Sequence, residues 1–333
     1  MTKMLRKTKP VLMLSILVIL TILFSGCGKS QTDSGKSQAD SSNAEKKKVS
    51  VGVVLSSSTN PLYVSMKQGI EKKGQELGIE TKVFFVENND QLRQSNAIQD
   101  LITAKVDALL VAPVTVQGAV PAYEAAKNAG IPILSIARTI RRPDLETTFI
   151  GINQVDDGRK VGEWMAKRLN GKGKVAMLKG VSGASYAMDL EKGFKESIAK
   201  YPDIKIVSEV NSNSTKEEGL KRTENILTAN PELDGIYAVN DEMALGAVQA
   251  AEAAGRLNKL VISGYGGTPP GLEAVKGGKI TATVANRPAS WGALGIQTVY
   301  DVLNGKTVSN PIKFESILVD QEILKKMNPE DLK

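Results

Sequence analysis

Arg138, Asn240, Asn286, Tyr63 and Tyr265 are the residues whose types and settings suit chemistry, and that chemistry is the recognition of a small polar molecule. Arg138 offers five N–H donors and no acceptor. If it is buried, its charge needs a partner; Asp189 is one candidate, and a polar or anionic oxygen on a ligand is another. Asn240 falls between a strand and a helix, and its amide can both donate and accept. The competing role is a helix cap, a task Asp241 could take instead. Tyr63 and Tyr265 can lay an aromatic face on the C–H groups of a small ring while their hydroxyls reach polar atoms. Asn286 stands where the chain is expected to recross between lobes, so it can touch a ligand only when those lobes close. Ser185 and Tyr186 follow the turn 180–184 and open a helix, where free N–H groups suit an anion or a simple cap. Met188 reads as wall rather than chemistry, and Arg287 as a surface arginine.

Other chemistries are poorly supplied. None of the 333 residues is histidine, which removes the commonest general base and the commonest metal ligand. There is no Walker loop, zinc spacing or nucleophile–base set. The glycines at 264–267 are no dinucleotide fingerprint, because that motif follows the first strand of its unit and the first loop here is serine-rich. The expectation is a binder rather than an enzyme, with no cofactor and no metal. The formal charge of +7 falls to about +3 once the leader cations Lys3, Arg6, Lys7 and Lys9 are set aside. That balance, without a basic helix or an aromatic platform, argues against nucleic acid as a partner.

The elements that must position these residues alternate strand, loop, helix. Residues 49–55 are rich in β-branched side chains and read as a buried strand. A polar turn follows, then Asn60 as a helix cap and Pro61 at the first helical position. The same alternation predicts strands at 80–86, 106–111, 131–136 and 148–151. It then restarts, with strands at 174–178, 204–210, 235–238, 260–263 and 281–285 and helices between. This is an α/β chain of two similar doubly wound parallel-sheet lobes, whose ligand sits at the carboxyl ends of the strands. A helix at 289–304 and a strand at 312–319 return the chain between lobes, making a three-strand hinge that suits a clamshell. The expected lobes are 49–151 with 287–311, and 152–286 with 312–333.

Ahead of them lies a leader. Residues 1–10 are basic and residues 11–24 almost wholly apolar, a run too short for the ~20 residues of a permanent span and right for a secretory signal. Residues 1–26 are expected to be removed. Cys27 is the only cysteine, and 27–48 is a polar, low-complexity tether that cannot bury a core.

Three segments carry a resemblance. Asn60-Pro61-Leu62-Tyr63-Val64-Ser65, Asn240-Asp241-Glu242-Met243-Ala244-Leu245-Gly246-Ala247 and Gly264-Tyr265-Gly266-Gly267-Thr268-Pro269 resemble the type I periplasmic sugar-binding proteins of ABC importers. The likeness is strongest to their ribose-binding branch and spans about residues 49–320. Ser25-Gly26-Cys27 likewise resembles a bacterial lipobox, with Phe24 in place of the usual leucine. By that resemblance Cys27 is lipidated and holds the protein on the outer face of the cell membrane. The resemblance implies a monomeric two-lobed receptor, not an enzyme, that takes a small sugar or related polar solute to a membrane permease. The same fold can instead report to a membrane kinase or chemoreceptor.

Position by position, the resemblance puts Ser56, Asn60, Leu62, Tyr63, Ala112, Ala137 and Arg138 at the cleft from the first lobe. From the second come Ser185, Met188, Ser214, Asn240, Tyr265 and Gly266, with Asn286 at the hinge. The departures are informative. Ribose binders carry aspartates at the positions of Ala137 and Gly266, an arginine at Met188, an asparagine at Ala112 and phenylalanines at Leu62 and Ser214. A pocket that pairs hydroxyls loses roughly 1–3 kcal/mol for each buried partner that vanishes. Plain ribose is therefore not the expected ligand.

Overall fold

The computed structural model describes residues 48–328 and Leu332. The signal (1–26), Cys27 and the tether up to residue 47 lie outside the described residues.

The first lobe begins with strand β1 (Ser50–Leu55), helix α1 (Pro61–Leu77), β2 (Glu80–Phe85), α2 (Gln91–Thr103), β3 (Ala108–Val111), α3 (Val120–Asn128), β4 (Ile133–Ile136) and β5 (Thr148–Gly151). The second continues with α4 (Gln154–Arg168), β6 (Lys172–Lys179), α5 (Ser185–Ile198), β7 (Asp203–Asn211), α6 (Lys216–Ala229), β8 (Gly235–Ala238), α7 (Asp241–Ala253), β9 (Val261–Ser263), α8 (Pro269–Lys276) and β10 (Ala282–Ala285). The tail adds α9 (Pro288–Leu303), β11 (Ile312–Lys313), β12 (Ile317–Asp320) and α10 (Gln321–Lys326). One sheet runs β2-β1-β3-β4-β5-β11 and the other β7-β6-β8-β9-β10-β12. Among the described residues the strands pair in parallel except β10 with β12.

Alternation explains the layers. Val51, Val53 and Leu55 of β1 join the core under α1 and α9, while Val54 joins the core under α2 and α3. Each of these fully buried aliphatic side chains contributes about 1.5–3 kcal/mol by leaving water. Both sheets reverse winding direction beside their first strand, between β1 and β3 and between β6 and β8. Loops leaving such neighbours part to opposite faces, and a crevice opens at the carboxyl ends of the strands.

Three helix pairs are set close by reciprocal glycines. A Cβ on Gly69 of α1 would lie 1.8 Å from the Ala289 carbonyl oxygen, and one on Gly292 of α9 would lie 2.2 Å from that of Met66. Gly158 and Gly193 do the same for α4 and α5, and Gly219 and Gly246 for α6 and α7, with backbone atoms at 2.3, 1.9, 2.5 and 2.2 Å. The N-termini of all three pairs point toward the interlobe crevice.

Two expectations need correction. The anticipated strand at 312–319 is two strands in different sheets, because β11 pairs with β5 and β12 with β10. The third crossing thus falls between Lys313 and Ile317, later than the expected boundary at 311/312, and each sheet has six strands. Helix α3 starts only at Val120, nine residues after β3, because Gln91 and Gln94 hold the preceding loop by Thr115 and Val114. The three crossings are bonded together. Phe314 N donates to Gly151 O (2.8 Å), Trp291 stacks on Phe314 at 5.7 Å, and the Arg287 guanidinium covers the same ring at 4.9 Å.

Candidate functional site

The first-lobe wall is built from loops after β1, β3 and β4. Asn60 caps α1, its Oδ1 accepting from Leu62 N at 3.0 Å, and this sets Leu62 and Tyr63 in the first turn facing the cleft. Ser56 is buried and its hydroxyl donates to Ala112 O at 3.3 Å. Ala137 takes a left-handed backbone conformation (φ 64°), which costs a non-glycine residue roughly 1–2 kcal/mol. That turn carries Arg138 inward, to 5% exposure. Its Nη1 donates to Asn89 Oδ1 at 3.2 Å and to Pro113 O at 3.4 Å. The guanidinium sits 4.6 Å from the Tyr186 ring and 5.7 Å from the Tyr63 ring. No carboxylate pairs with it among the described residues; Asp189, the partner considered from sequence, pairs with Arg141 at 2.6 Å instead.

The second-lobe wall rests on α5, α6 and α7. The Tyr186 and Ser214 hydroxyls share a 2.6 Å hydrogen bond. Gly180 is required there, since a Cβ would lie 2.3 Å from the Tyr186 oxygen. Asn240 Oδ1 accepts from Met243 N at 2.7 Å and caps α7, while its Nδ2 donates to Ser214 O at 2.9 Å. Asp241 is buried behind the wall and accepts from Thr268 N (2.7 Å), Thr268 Oγ1 (3.0 Å) and Thr283 Oγ1 (2.5 Å). Burial raises its pKa in spite of those donors. Glu242, half-buried one residue on, is also raised, first by burial and then by Asp241, with Lys216 pulling the other way. The Tyr265 hydroxyl donates to Asp157 Oδ2 at 3.2 Å, and burial pushes that phenol well above its usual range.

Asn286 closes the hinge side. It is 1% exposed, and neither its amide nitrogen nor its oxygen has a hydrogen-bond partner. Its amide lies near enough to influence the Tyr265 phenol without a well-formed bond to it. Gln154 and Trp291 complete this end, anchored by Gln154 Nε2 to Ala137 O (3.0 Å) and Trp291 Nε1 to Ile150 O (3.2 Å).

The two lobes touch around the rim. Val116 N donates to Gly183 O and Thr139 N to Ser185 Oγ, both at 3.0 Å. Asn89 Nδ2 reaches Asn213 O at 3.4 Å, and Arg141 meets Asp189. Between them is a cavity offering about 50 Å³ to the centres of water molecules. That is room for a few waters. A polar vestibule adjoins it, and Asn60, Tyr63, Arg138, Ser214 and Glu242 border both spaces.

Asn60, Leu62, Tyr63 and Arg138 from one lobe, Ser214, Asn240 and Tyr265 from the other, and Asn286 at the hinge thus meet around one cavity. Five expected residues do not, Ala112 and Gly266 among them, since neither is in the cavity lining. Ser56 borders only the vestibule, because its hydroxyl is turned to Ala112. Ser185 is a lobe-to-lobe contact. Met188 is 37% exposed, on the side of α5 turned to solvent. Sequence reasoning missed Gln154, Trp291 and Glu242. Glu242 was within reach, being two residues past Asn240 in the same helical turn.

The periplasmic binding protein domain family matches residues 51–307. The ribose import binding protein RbsB of Bacillus subtilis is 33% identical over 310 residues, 91% of this chain and 98% of that protein. A periplasmic solute-binding protein of an ABC transporter from Actinobacillus succinogenes, solved with bound D-allose, superposes with a TM-score of 0.78 at 31% identity, covering 84% of this chain and 99% of that one. The fructose-binding periplasmic domain of a hybrid two-component system superposes at 0.80 with 27% identity, over 85% and 94% of the two chains.

Proposed function

This chain belongs to the periplasmic binding protein domain family, and from that membership we propose that it is an extracytoplasmic receptor for a small sugar or sugar-like polar solute, which it delivers to an ABC importer. The observation that carries the reading is Asn286. A buried amide with both ends unpaired costs roughly 1–3 kcal/mol per group, and here it lines a cavity made by both lobes. A hydroxyl-bearing ligand supplies the missing donor and acceptor together. The relatives named for ribose and D-allose support that ligand class.

The cycle follows from the geometry. Solute docks on one lobe, and the other swings about the three crossings until the rim contacts form. Closure is favoured only by what the ligand bonds on both lobes at once. A permease then reads the closed form. Cys27, lipidated, and the tether to residue 48 keep the receptor at the membrane and raise its local concentration there; no described helix is long and apolar enough to cross a membrane. Cys27→Ala is expected to move the protein from the membrane fraction to the culture supernatant. The receptor is expected to work as a monomer.

A thermal-shift screen over ribose, allose, fructose, xylitol and myo-inositol tests the ligand class, and small-angle scattering tests the motion. The expected result is a raised melting temperature with a smaller radius of gyration for at least one of them. No stabilisation by any of the five, or a radius unchanged at saturation, counts against the receptor. The likeness to a two-component periplasmic domain favours one second reading, a ligand sensor for a membrane kinase. Stimulation of a reconstituted importer's ATPase by the loaded receptor separates the two.

A further inference from the structure

The polar groups around the cavity divide into those already engaged and those with capacity left. Asp241 is taken up by Thr268 and Thr283, Asn240 by Met243 and Ser214, Tyr186 and Ser214 by each other, and Tyr265 by Asp157. Asn60 and Gln154 each have one amide end committed. Ala137 and Gly266, where the resemblance led one to look for carboxylates, have no polar side chain. The Tyr63 hydroxyl and the second amide ends of Asn60 and Gln154 keep some neutral capacity, and the groups with most left are Asn286, Arg138 and Glu242. Arg138 is held by neutral oxygens and two ring faces, so its charge is not cancelled by any direct ion pair among the described residues. Glu242 stands on the opposite lobe at the neck between cavity and vestibule. No hydrogen bond or ion pair engages its carboxylate among the described residues, and its half-burial raises its pKa.

We propose that Glu242 is the anionic hydroxyl acceptor of this site, and that opposite Arg138 it tunes the receptor to an uncharged polyhydroxylated ligand. The proposal rests on the receptor reading above and narrows its ligand. A hydroxyl is donor and acceptor at once, so one ligand can donate to Glu242 and accept from Arg138, and both charges gain charge-assisted bonds. A carboxylate or phosphate could satisfy Arg138 but would be shut in with Glu242 and, behind the wall, Asp241. The like charge of Glu242 in the same cavity, with Asp241 behind it, opposes its entry. Arg138 read alone suggests an anion; the pair reverses that preference.

The test is calorimetric titration of the whole mature receptor, as wild type, Glu242→Gln and Glu242→Asp. The neutral probes are ribose, allose, xylitol and myo-inositol, and the anionic probes are ribonate and ribose 5-phosphate. Wild type is expected to bind one or more neutral probes at least tenfold more tightly than either anion. Glu242→Gln is expected to weaken neutral binding about tenfold or more and to narrow the gap to the anions. Glu242→Asp keeps the charge and is expected to keep the discrimination. Unliganded melting temperatures should differ little, since the Glu242 carboxylate has no hydrogen bond or ion pair among the described residues and interacts only at longer range with Lys216 and Asp241. Neutral affinity and discrimination both unchanged in Glu242→Gln would overturn the assignment while leaving the receptor intact. Wild type preferring an anion would overturn it too, again without harm to the receptor. Wild type binding none of the six would remove the receptor and this proposal together.

Discussion

Asn286 and Asn240 are the same side chain in opposite circumstances, and they should fail differently. The Asn286 amide has no well-formed hydrogen bond in the protein. Asn286→Ala is expected to leave the unliganded melting temperature unchanged or slightly raised while weakening ligand at least tenfold by titration. Asn240 caps α7 and clasps Ser214. Asn240→Ala is expected to lose about 0.5–2 kcal/mol of stability in denaturant melts as well as affinity. From sequence the two roles of Asn240 looked like alternatives, but the structure has the amide committed to the cap while it still lines the cavity. What was legible at this scale was residue type next to a strand end: Asn60, Tyr63, Arg138 and Asn240 all follow a strand directly or by a few residues. What was not legible was orientation. Met188 lies three residues beyond Ser185 on the same helix, yet faces solvent, and Trp291 looked like any apolar helix position until the third crossing was laid on it.

At the scale of elements, the alternation of strands and helices was readable because each strand is short, β-branched and followed by polar turn residues. The tail was not, because a two-residue strand such as β11 leaves no periodic trace and is defined only by its partner β5. The close helix pairs were likewise invisible. A glycine within a helix reads as a weak point, whereas Gly69, Gly193 and Gly246 each admit a neighbouring backbone. Gly69→Ala puts a methyl 1.8 Å from the Ala289 carbonyl oxygen and must push α9 off α1. It is expected to cost about 1–3 kcal/mol of stability. Because α9 begins just after Asn286, it should also weaken ligand binding by titration, though residue 69 itself is absent from the cavity lining.

At the scale of the molecule, the rim contacts exist only while the lobes are together. The Arg141–Asp189 pair is partly exposed, 44% and 26% by side chain, so it is worth at most about 1 kcal/mol, or roughly a fivefold bias toward closure. Asp189→Asn is expected to weaken ligand severalfold, with the loss largest at low salt and fading as ions screen the wild-type pair. Titration over a range of salt concentrations checks this; a loss independent of salt would mean the residue acts otherwise. The wider consequence lies in the glycine-set helix pairs. With α1 on α9, α4 on α5 and α6 on α7 fixed backbone to backbone, and all three crossings tied by the Phe314 stack, each half is built to travel as a solid piece, and in the proposed cycle a single angle would carry all the news of occupancy. A carrier need only gauge the spacing between two outer edges to learn whether cargo is aboard, and it can do so for any cargo that shuts the jaws, without ever meeting the molecule it is about to move.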